Sequence, residues 1–318
     1  MKIVVLDGVS LSNGDISWAG LEAHGELTVY EFTHPEEVLP RIEGAEIVFT
    51  NKTRLTGDMI RAAKALRFIG VMATGYDVVD IEAAREQGIP VSNAPGYSTP
   101  AVAQLAMAFL LETAMQVGEY NRDVHAGKWI NTPNHRLRTR PLVELYGKTL
   151  GIYGCGNIGR QVAKMAQGFG MRVIATSRRA RPGAVREGIT FVSKEDLFAQ
   201  SQFLSLNSPL NRESHHIVNR DTLALMPAGA VIVNTSRGAL VDAAAVAEAL
   251  QAGRLGWYCA DALEVEPMTA DEVLLTAPRC LLTPHMAWAT LESRQRLMDM
   301  CVEMLERFLA GKPVYVVN

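Results

Sequence analysis

Three short stretches hold the side chains most able to move a proton and hold an anion: NTSRGALVD with Arg237, DALEVEP with Asp261 and Glu266, and LTPHMAWAT with His285. Reduction of a carbonyl by hydride needs an acid to protonate the developing alkoxide. It also needs a cation to hold an anionic substrate and a carboxylate to orient and charge the acid. Histidine, arginine and glutamate make up that set. Taken singly, each is as well explained by a surface ion pair. What gives them weight is position, because all three stand where strands are predicted to end, the edge at which open α/β sheets hold their ligands.

A fourth stretch, GIYGCGNIG over 151–159, places Gly154, Gly156 and Gly159 in a G-x-G-x-x-G spacing. The spacing alone is weak, but here it follows a predicted strand and opens a helix-like segment, NIGRQVAKMAQGFG, which is the context a dinucleotide-binding turn requires. Gly154 permits the tight turn, Gly156 lets backbone approach a pyrophosphate, and Gly159 lets helix and strand pack closely. The helix start at Asn157 and Ile158 offers N–H groups and a positive dipole end to phosphates. In such a unit the second strand usually ends in an acidic residue that binds ribose hydroxyls. Here it reads RVIATSRRARPG, with Ser177 followed by Arg178, Arg179 and Arg181. A hydroxyl beside a guanidinium suits a 2′-phosphate, so NADP(H) is expected ahead of NAD(H).

The elements that must position these residues are short apolar runs alternating with helix-like segments. KIVVLD (2–7), LTVYEF (27–32), AEIVFT (45–50), RFIGVM (67–72) and PVSN (90–93) form one series, suited to parallel strands covered on both faces. A long apolar helix is expected from Pro100 through PAVAQLAMAFLLETAMQVGEYNRDV, followed by a basic, irregular arm, HAGKWINTPNHRLRTRPLVELYG. The second series is TLGIYG (149–154), RVIATS (172–177), FLSLN (203–207), AVIVNTS (230–236), WYCADAL (257–263) and CLLTPH (280–285). Between the fourth and fifth of these lies DAAAVAEALQAGR, with Asp242 as N-cap and Gly253 near its end. A last amphipathic helix over 291–311 would return the chain to the first domain. The expected fold is α/β: two doubly wound parallel-sheet domains, a Rossmann cofactor domain of about 99–286 inserted in a flavodoxin-like substrate domain of about 1–98 plus 287–318. The long helix and the arm point to a homodimer built through the cofactor domains.

Composition narrows the function classes. A chain of 318 residues with 48% hydrophobic content can bury two cores. With 31 basic and 34 acidic side chains, the net charge of -3 supplies no field for a nucleic acid or an anionic membrane, so neither is an expected partner. MKIVVLDGVS lacks the apolar length of a signal peptide, and no apolar run approaches the roughly 20 residues of a membrane span. The four cysteines, Cys155, Cys259, Cys280 and Cys301, form no C-x-x-C pair. A reduced, cytoplasmic protein is the expectation.

Read together and in order, NKTRLT, MATGYDVVD, GIPVSNAPGYSTPAVAQ, GIYGCGNIG, NTSRGALVD, DALEVEP, LTPHMAWAT and GKPVYVVN resemble the D-isomer-specific 2-hydroxyacid dehydrogenases. Within that family the likeness is to the glycerate dehydrogenase or hydroxypyruvate reductase group, over essentially the whole length. The resemblance implies that Arg237 contacts the substrate's carboxylate and carbonyl oxygens. His285 would donate the proton in reduction and accept it in oxidation, and Glu266 would pair with His285 and favour its charged form. Asp261 would hydrogen-bond the nicotinamide carboxamide, Pro209 and Thr235 would line the cofactor, and no metal is required. In the first domain, amides around Thr74 and Gly75 offer an anion-binding turn, a role the family supports for Gly75. Tyr76 and Trp288 would bound the pocket, and Lys52 would add positive charge.

The expected reaction is reduction of hydroxypyruvate to D-glycerate, with glyoxylate to glycolate as a second activity, in a cleft between domains. Two departures stand out: Ser177 replaces the family's usual Asp, and Asn207 replaces a commonly seen His. Alternatives are a dehydrogenase for another 2-hydroxyacid or an inorganic anion, and a cofactor-sensing protein similar to the corepressors of this fold. His24, His34, His125, His135, His215 and His216 carry no such support and are expected to be structural or solvent-facing.

Overall fold

Short runs such as IVFT and FIGV are buried along their whole length, as parallel strands covered on both faces must be. The computed structural model describes residues 1–130, 132 and 140–318. The chain divides into two compact units, Met1–Ser98 with Trp288–Asn318, and Thr99–Ala287.

The first unit has five parallel strands, β1 (Lys2–Val5), β2 (Glu26–Val29), β3 (Ile47–Thr50), β4 (Phe68–Val71) and β5 (Val91–Ser92), in the order β2-β1-β3-β4-β5. This is the doubly wound order of flavodoxin-like sheets. Alternation along each strand feeds two cores. Ile3, Val5, Ile47, Phe49 and Phe68 point to one face, where Leu297, Met298, Cys301, Met304 and Leu305 of a C-terminal helix, Leu291–Leu309, cover them. Val4, Leu6, Val48, Ile69 and Val71 point to the other, under Val38, Ile42, Ile60 and Ala84.

In the second unit eight strands follow: β6 (Thr149–Tyr153), β7 (Arg172–Thr176), β8 (Val185–Arg186), β9 (Ile189–Phe191), β10 (Phe203–Leu206), β11 (Ala230–Asn234), β12 (Leu255–Ala260) and β13 (Cys280–Leu282). Their order is β13-β12-β11-β10-β6-β7-β9-β8, parallel except for the β8–β9 pair. The run β9-β7-β6-β10-β11-β12 is the Rossmann order, with β6 as its first strand. Helices Asn157–Gly168 and Thr99–Met115 lie on one face of this sheet, through Val162, Ala163, Ala103 and Leu110. Lys194–Gln200, Arg220–Leu225 and Ala243–Gln251 lie on the other. Asp242 caps the last of these by accepting the Ala245 N–H at 3.0 Å, and Gly253 follows it at a φ of +69°.

Two elements differ from expectation. The helix begun near Pro100 is two helices, Thr99–Met115 and Val117–His125, bent by 55°. Gln116 takes left-handed backbone at a φ of 50° and ends the first by donating to Glu112 O. The Glu112 carboxylate then accepts Gly118 N–H at 3.0 Å and so caps the second. No single helix among the described residues is long and apolar enough to cross a membrane. The β8–β9 hairpin was not expected, because strands of two and three residues leave no periodic signal. Within the expected arm, residues 131 and 133–139, with His135, lie outside the described residues.

Candidate active site

In the second unit the C-terminal edge of the sheet carries all the expected chemistry of that unit. The glycine loop follows β6, and its three glycines are constrained differently. Gly154 holds a φ of +93°, and a Cβ there would lie 2.7 Å from Ser208 N. At Gly159 a Cβ would lie 2.4 Å from Gly154 O, so helix and turn touch backbone to backbone. At Gly156 a Cβ would meet nothing within 4 Å, which leaves open space over the start of the helix at Asn157 and Ile158. The Asn157 side chain accepts from Arg160 at 2.8 Å. Burial pushes the Cys155 thiol up, so this loop residue stays a neutral thiol.

Ser177 stands one residue past β7, and its hydroxyl accepts the Arg179 N–H at 3.1 Å. Arg178 and Arg179 are exposed, and neither makes an ion pair among the described residues. Beyond β10, Pro209 is exposed and its carbonyl accepts from the Ser214 hydroxyl at 2.8 Å. Asn207 Oδ1 and Thr235 Oγ1, past β10 and β11, are buried and make no hydrogen bond among the described residues.

Arg237, Glu266 and His285 lie past the ends of β11, β12 and β13, three strands that are neighbours in the sheet. His285 Nδ1 lies 2.7 Å from Glu266 Oε2, with the two side chains 29% and 33% exposed. Nδ1 is thereby committed to Glu266, and Nε2 is the nitrogen left to address a substrate. Glu266 Oε1 also accepts the Leu263 N–H at 3.0 Å, which fixes the carboxylate against its own loop. His285 stands in left-handed backbone at a φ of 51°, with its N–H given to Thr283 O. Asp261, 2% exposed, holds this segment: its carboxylate accepts from Thr283 Oγ1 at 2.5 Å, Met286 N at 2.8 Å and Ala287 N at 2.8 Å. The bonds that Asp261 makes here are therefore to the chain carrying His285. Arg237 is half-buried, and one guanidinium nitrogen donates to Ser236 O at 3.0 Å.

In the first unit, Thr74 and Gly75 follow β4, where Thr74 Oγ1 donates to Ala94 O at 2.9 Å and Thr74 O accepts from Asn93 Nδ2 at 2.7 Å. Tyr76 is 36% exposed, Lys52 is exposed beyond β3, and Trp288 packs against the core that contains Phe49 and Phe68.

Residues 107–287 match the family model of the D-isomer specific 2-hydroxyacid dehydrogenase, NAD binding domain. A hydroxypyruvate reductase of Blautia hydrogenotrophica is 45% identical, with 100% of each chain covered. A glyoxylate reductase of Aeropyrum pernix is 39% identical over 94% of this chain and 91% of its own. Among solved structures, an acyclic imino acid reductase in complex with NADPH and D-Arg superposes with a TM-score of 0.88 at 30% identity, covering 100% of both chains. The chain belongs to the D-isomer-specific 2-hydroxyacid dehydrogenase family. It is an enzyme of the glycerate dehydrogenase and hydroxypyruvate reductase group, and it uses a nicotinamide cofactor.

The residues of this dehydrogenase fit such a cofactor. The open space at Gly156, Asn207 Oδ1 and Thr235 Oγ1, which make no hydrogen bond among the described residues, and the guanidinium groups of Arg178 and Arg179, which make no ion pair among them, all lie on one sheet edge. Three positioning residues were not singled out from the sequence. Asn234, fully buried, donates to Arg237 O at 2.9 Å and accepts Ser236 N at 3.0 Å, which shapes the turn that presents Arg237. Asp7, 3% exposed, accepts from Asn51 N and Thr53 N at 2.8 Å each and also from Lys52 N. Gly238 packs against Leu263 and Glu264 so closely that a Cβ would lie 1.9 Å from Leu263 C. A buried Asp or Asn just past an apolar run was the available signal for the first two.

Proposed function

We propose that this dehydrogenase reduces hydroxypyruvate to D-glycerate with NADPH as the preferred cofactor, and glyoxylate to glycolate as a second activity. The observation that carries the reading is the 2.7 Å contact of His285 Nδ1 with Glu266 Oε2, on the sheet edge that also bears Arg237. The nicotinamide cofactor, when bound, would supply the hydride for the 2-oxo carbon. The Arg237 guanidinium pairs with the substrate carboxylate and draws charge onto the oxo oxygen. As the alkoxide develops, His285 gives it the proton held on Nε2, while Glu266 compensates the imidazolium through Nδ1. In the oxidative direction the same nitrogen takes the proton back. Asp261 keeps the His285 segment in place and, in this reading, also meets the nicotinamide carboxamide. Thr74 and Gly75 supply amides to the substrate carboxylate, Lys52 adds positive charge, and Tyr76 and Trp288 bound the small acid.

The NADPH preference rests on Ser177, Arg178 and Arg179, whose groups suit a 2′-phosphate. The exposed apolar side chains Met115, Val117, Ile130, Leu142 and Tyr146 support the further proposal that the enzyme is a homodimer through the second unit. The test of the reaction is the initial rate with hydroxypyruvate, glyoxylate and pyruvate, each with NADPH and with NADH. The expected result is the highest kcat/KM for hydroxypyruvate with NADPH, and a shift of the cofactor ratio towards NADH by tenfold or more in Ser177→Asp. Absence of turnover with every pair, despite cofactor binding, would remove the substrate assignment. An unmoved cofactor ratio would locate selectivity away from Ser177.

A further inference from the structure

Past β10 and β12 the fold gathers three side chains that the reduction chemistry leaves unused: His215, His216 and Glu264. One ligand nitrogen from each imidazole and one carboxylate oxygen lie within 4.8 Å of one another. Consecutive residues of an extended chain point to opposite sides, so neighbouring histidines do not ordinarily converge. Here His216 takes left-handed backbone at a φ of 46°, and the two rings stack with centroids 4.0 Å apart and planes 26° apart.

The backbone on both sides of the cluster is pinned. His215 N donates to Asn211 O and His216 N to Ala239 O, each at 2.9 Å, and His216 O accepts from Asn219 Nδ2 at 2.9 Å. From the opposite side, Glu264 N lies where a Cβ on Gly238 would be 2.0 Å away. His216 Nε2 is buried and makes no hydrogen bond among the described residues, although Glu264 Oε2 lies 3.5 Å from it. A buried ring nitrogen with a carboxylate at ion-pair distance but no hydrogen bond is open to a ligand placed between them.

We propose that His215, His216 and Glu264 bind one divalent transition-metal ion of the zinc type, apart from the catalytic residues. Two imidazoles and a carboxylate are the donor set zinc takes, whereas magnesium and calcium favour oxygen alone. Ligand atoms at zinc distances around a tetrahedral ion stand about 3.3 Å apart, close to the present His216–Glu264 separation. His215 and Glu264 are exposed and close the rest of the span by side-chain rotation. Three protein ligands leave a fourth position for water. The ion ties the 211–217 turn to the 261–267 loop, and Glu264 stands two residues before Glu266.

The test uses the full chain, stripped with a chelator and titrated with zinc chloride by calorimetry, beside His215→Asn and Glu264→Gln. The expected result is one zinc per chain, with binding weakened by about tenfold or more in each variant. Zinc, but not magnesium, should also raise the Tm of the unaltered protein. Reductase turnover of His215→Asn in chelator, equal to that of the unaltered protein, reports that the variant is folded. No binding, binding unchanged in both variants, or equal binding of magnesium would each overturn the site. Unchanged binding would direct attention to the thiols of Cys155 or Cys280.

Discussion

At the scale of single residues, the His285–Glu266 pair divides one task in two. Nδ1 is held by a carboxylate at 2.7 Å, so Nε2 is the end of the ring presented for proton transfer. His285→Ala removes the proposed donor and should lower kcat/KM by about 10³-fold while leaving the Kd for NADPH within about twofold. Glu266→Gln keeps a hydrogen-bonding group against Nδ1 but loses the charge, and should lower kcat by about 10²-fold with a smaller effect on KM. Single-turnover kinetics of both variants would check this, and near-normal turnover in His285→Ala would take His285 out of the mechanism. The pairing itself was legible in DALEVEP and LTPHMAWAT through the family likeness. The bonds of Asp261 were not, because which backbone amides a buried carboxylate meets depends on how β12 and β13 are aligned, and spacing along the chain does not carry that.

Elements explain why these residues stay in register. The turn after β11 and the loop after β12 touch at Gly238, where a Cβ would lie 1.9 Å from Leu263 C and 2.0 Å from Glu264 N. Gly238→Ala must therefore push apart the segments that carry Arg237 and Glu266. It should cost about 3 kcal/mol of stability, lower the Tm by roughly 6–12 °C, and reduce kcat. Gly156→Ala is the control: with nothing within 4 Å of the added methyl, it should leave the Tm nearly unchanged and weaken cofactor binding instead. Calorimetric melting beside cofactor titration distinguishes the two, and a Gly238→Ala protein as stable as its parent would refute the close-packing argument. The glycine loop was readable because its constraints are local, a strand, a turn and a helix within a few residues. Gly238 was not, since the atoms that exclude a side chain there lie some 25 positions along the chain. The same distinction accounts for Gln116: helix propensity runs through it, and its buried side chain donates at 2.8 Å to Pro141 O, 25 positions along the chain, a bond that sequence spacing does not carry.

Over the whole molecule, repeated Val and Ile runs were enough to foresee two parallel sheets, since burial on both faces leaves a signal in every strand. Association leaves a weaker one. The helices Thr99–Met115 and Val117–His125, with the segments at Ile130 and near Leu142, carry exposed apolar side chains that a lone second unit would leave in water: Val117 is 65% exposed, Ile130 73% and Tyr146 74%. Scattered apolar residues are normal on a surface, whereas a contiguous apolar patch marks an interaction site, and the dimer proposal takes these side chains to contribute to one. A second copy of the same chain is the partner that the proposed homodimer supplies, and a stable pair buries on the order of 800 Å² or more from each subunit. Light scattering after size exclusion should therefore give twice the chain mass. Paired substitution Val117→Asp and Tyr146→Asp should return the mass of one chain, because charges placed on a face buried by association oppose it without touching either sheet. A single-chain mass for the unaltered protein at micromolar concentration would end the dimer proposal, and those apolar side chains would then stand as ordinary exposed surface.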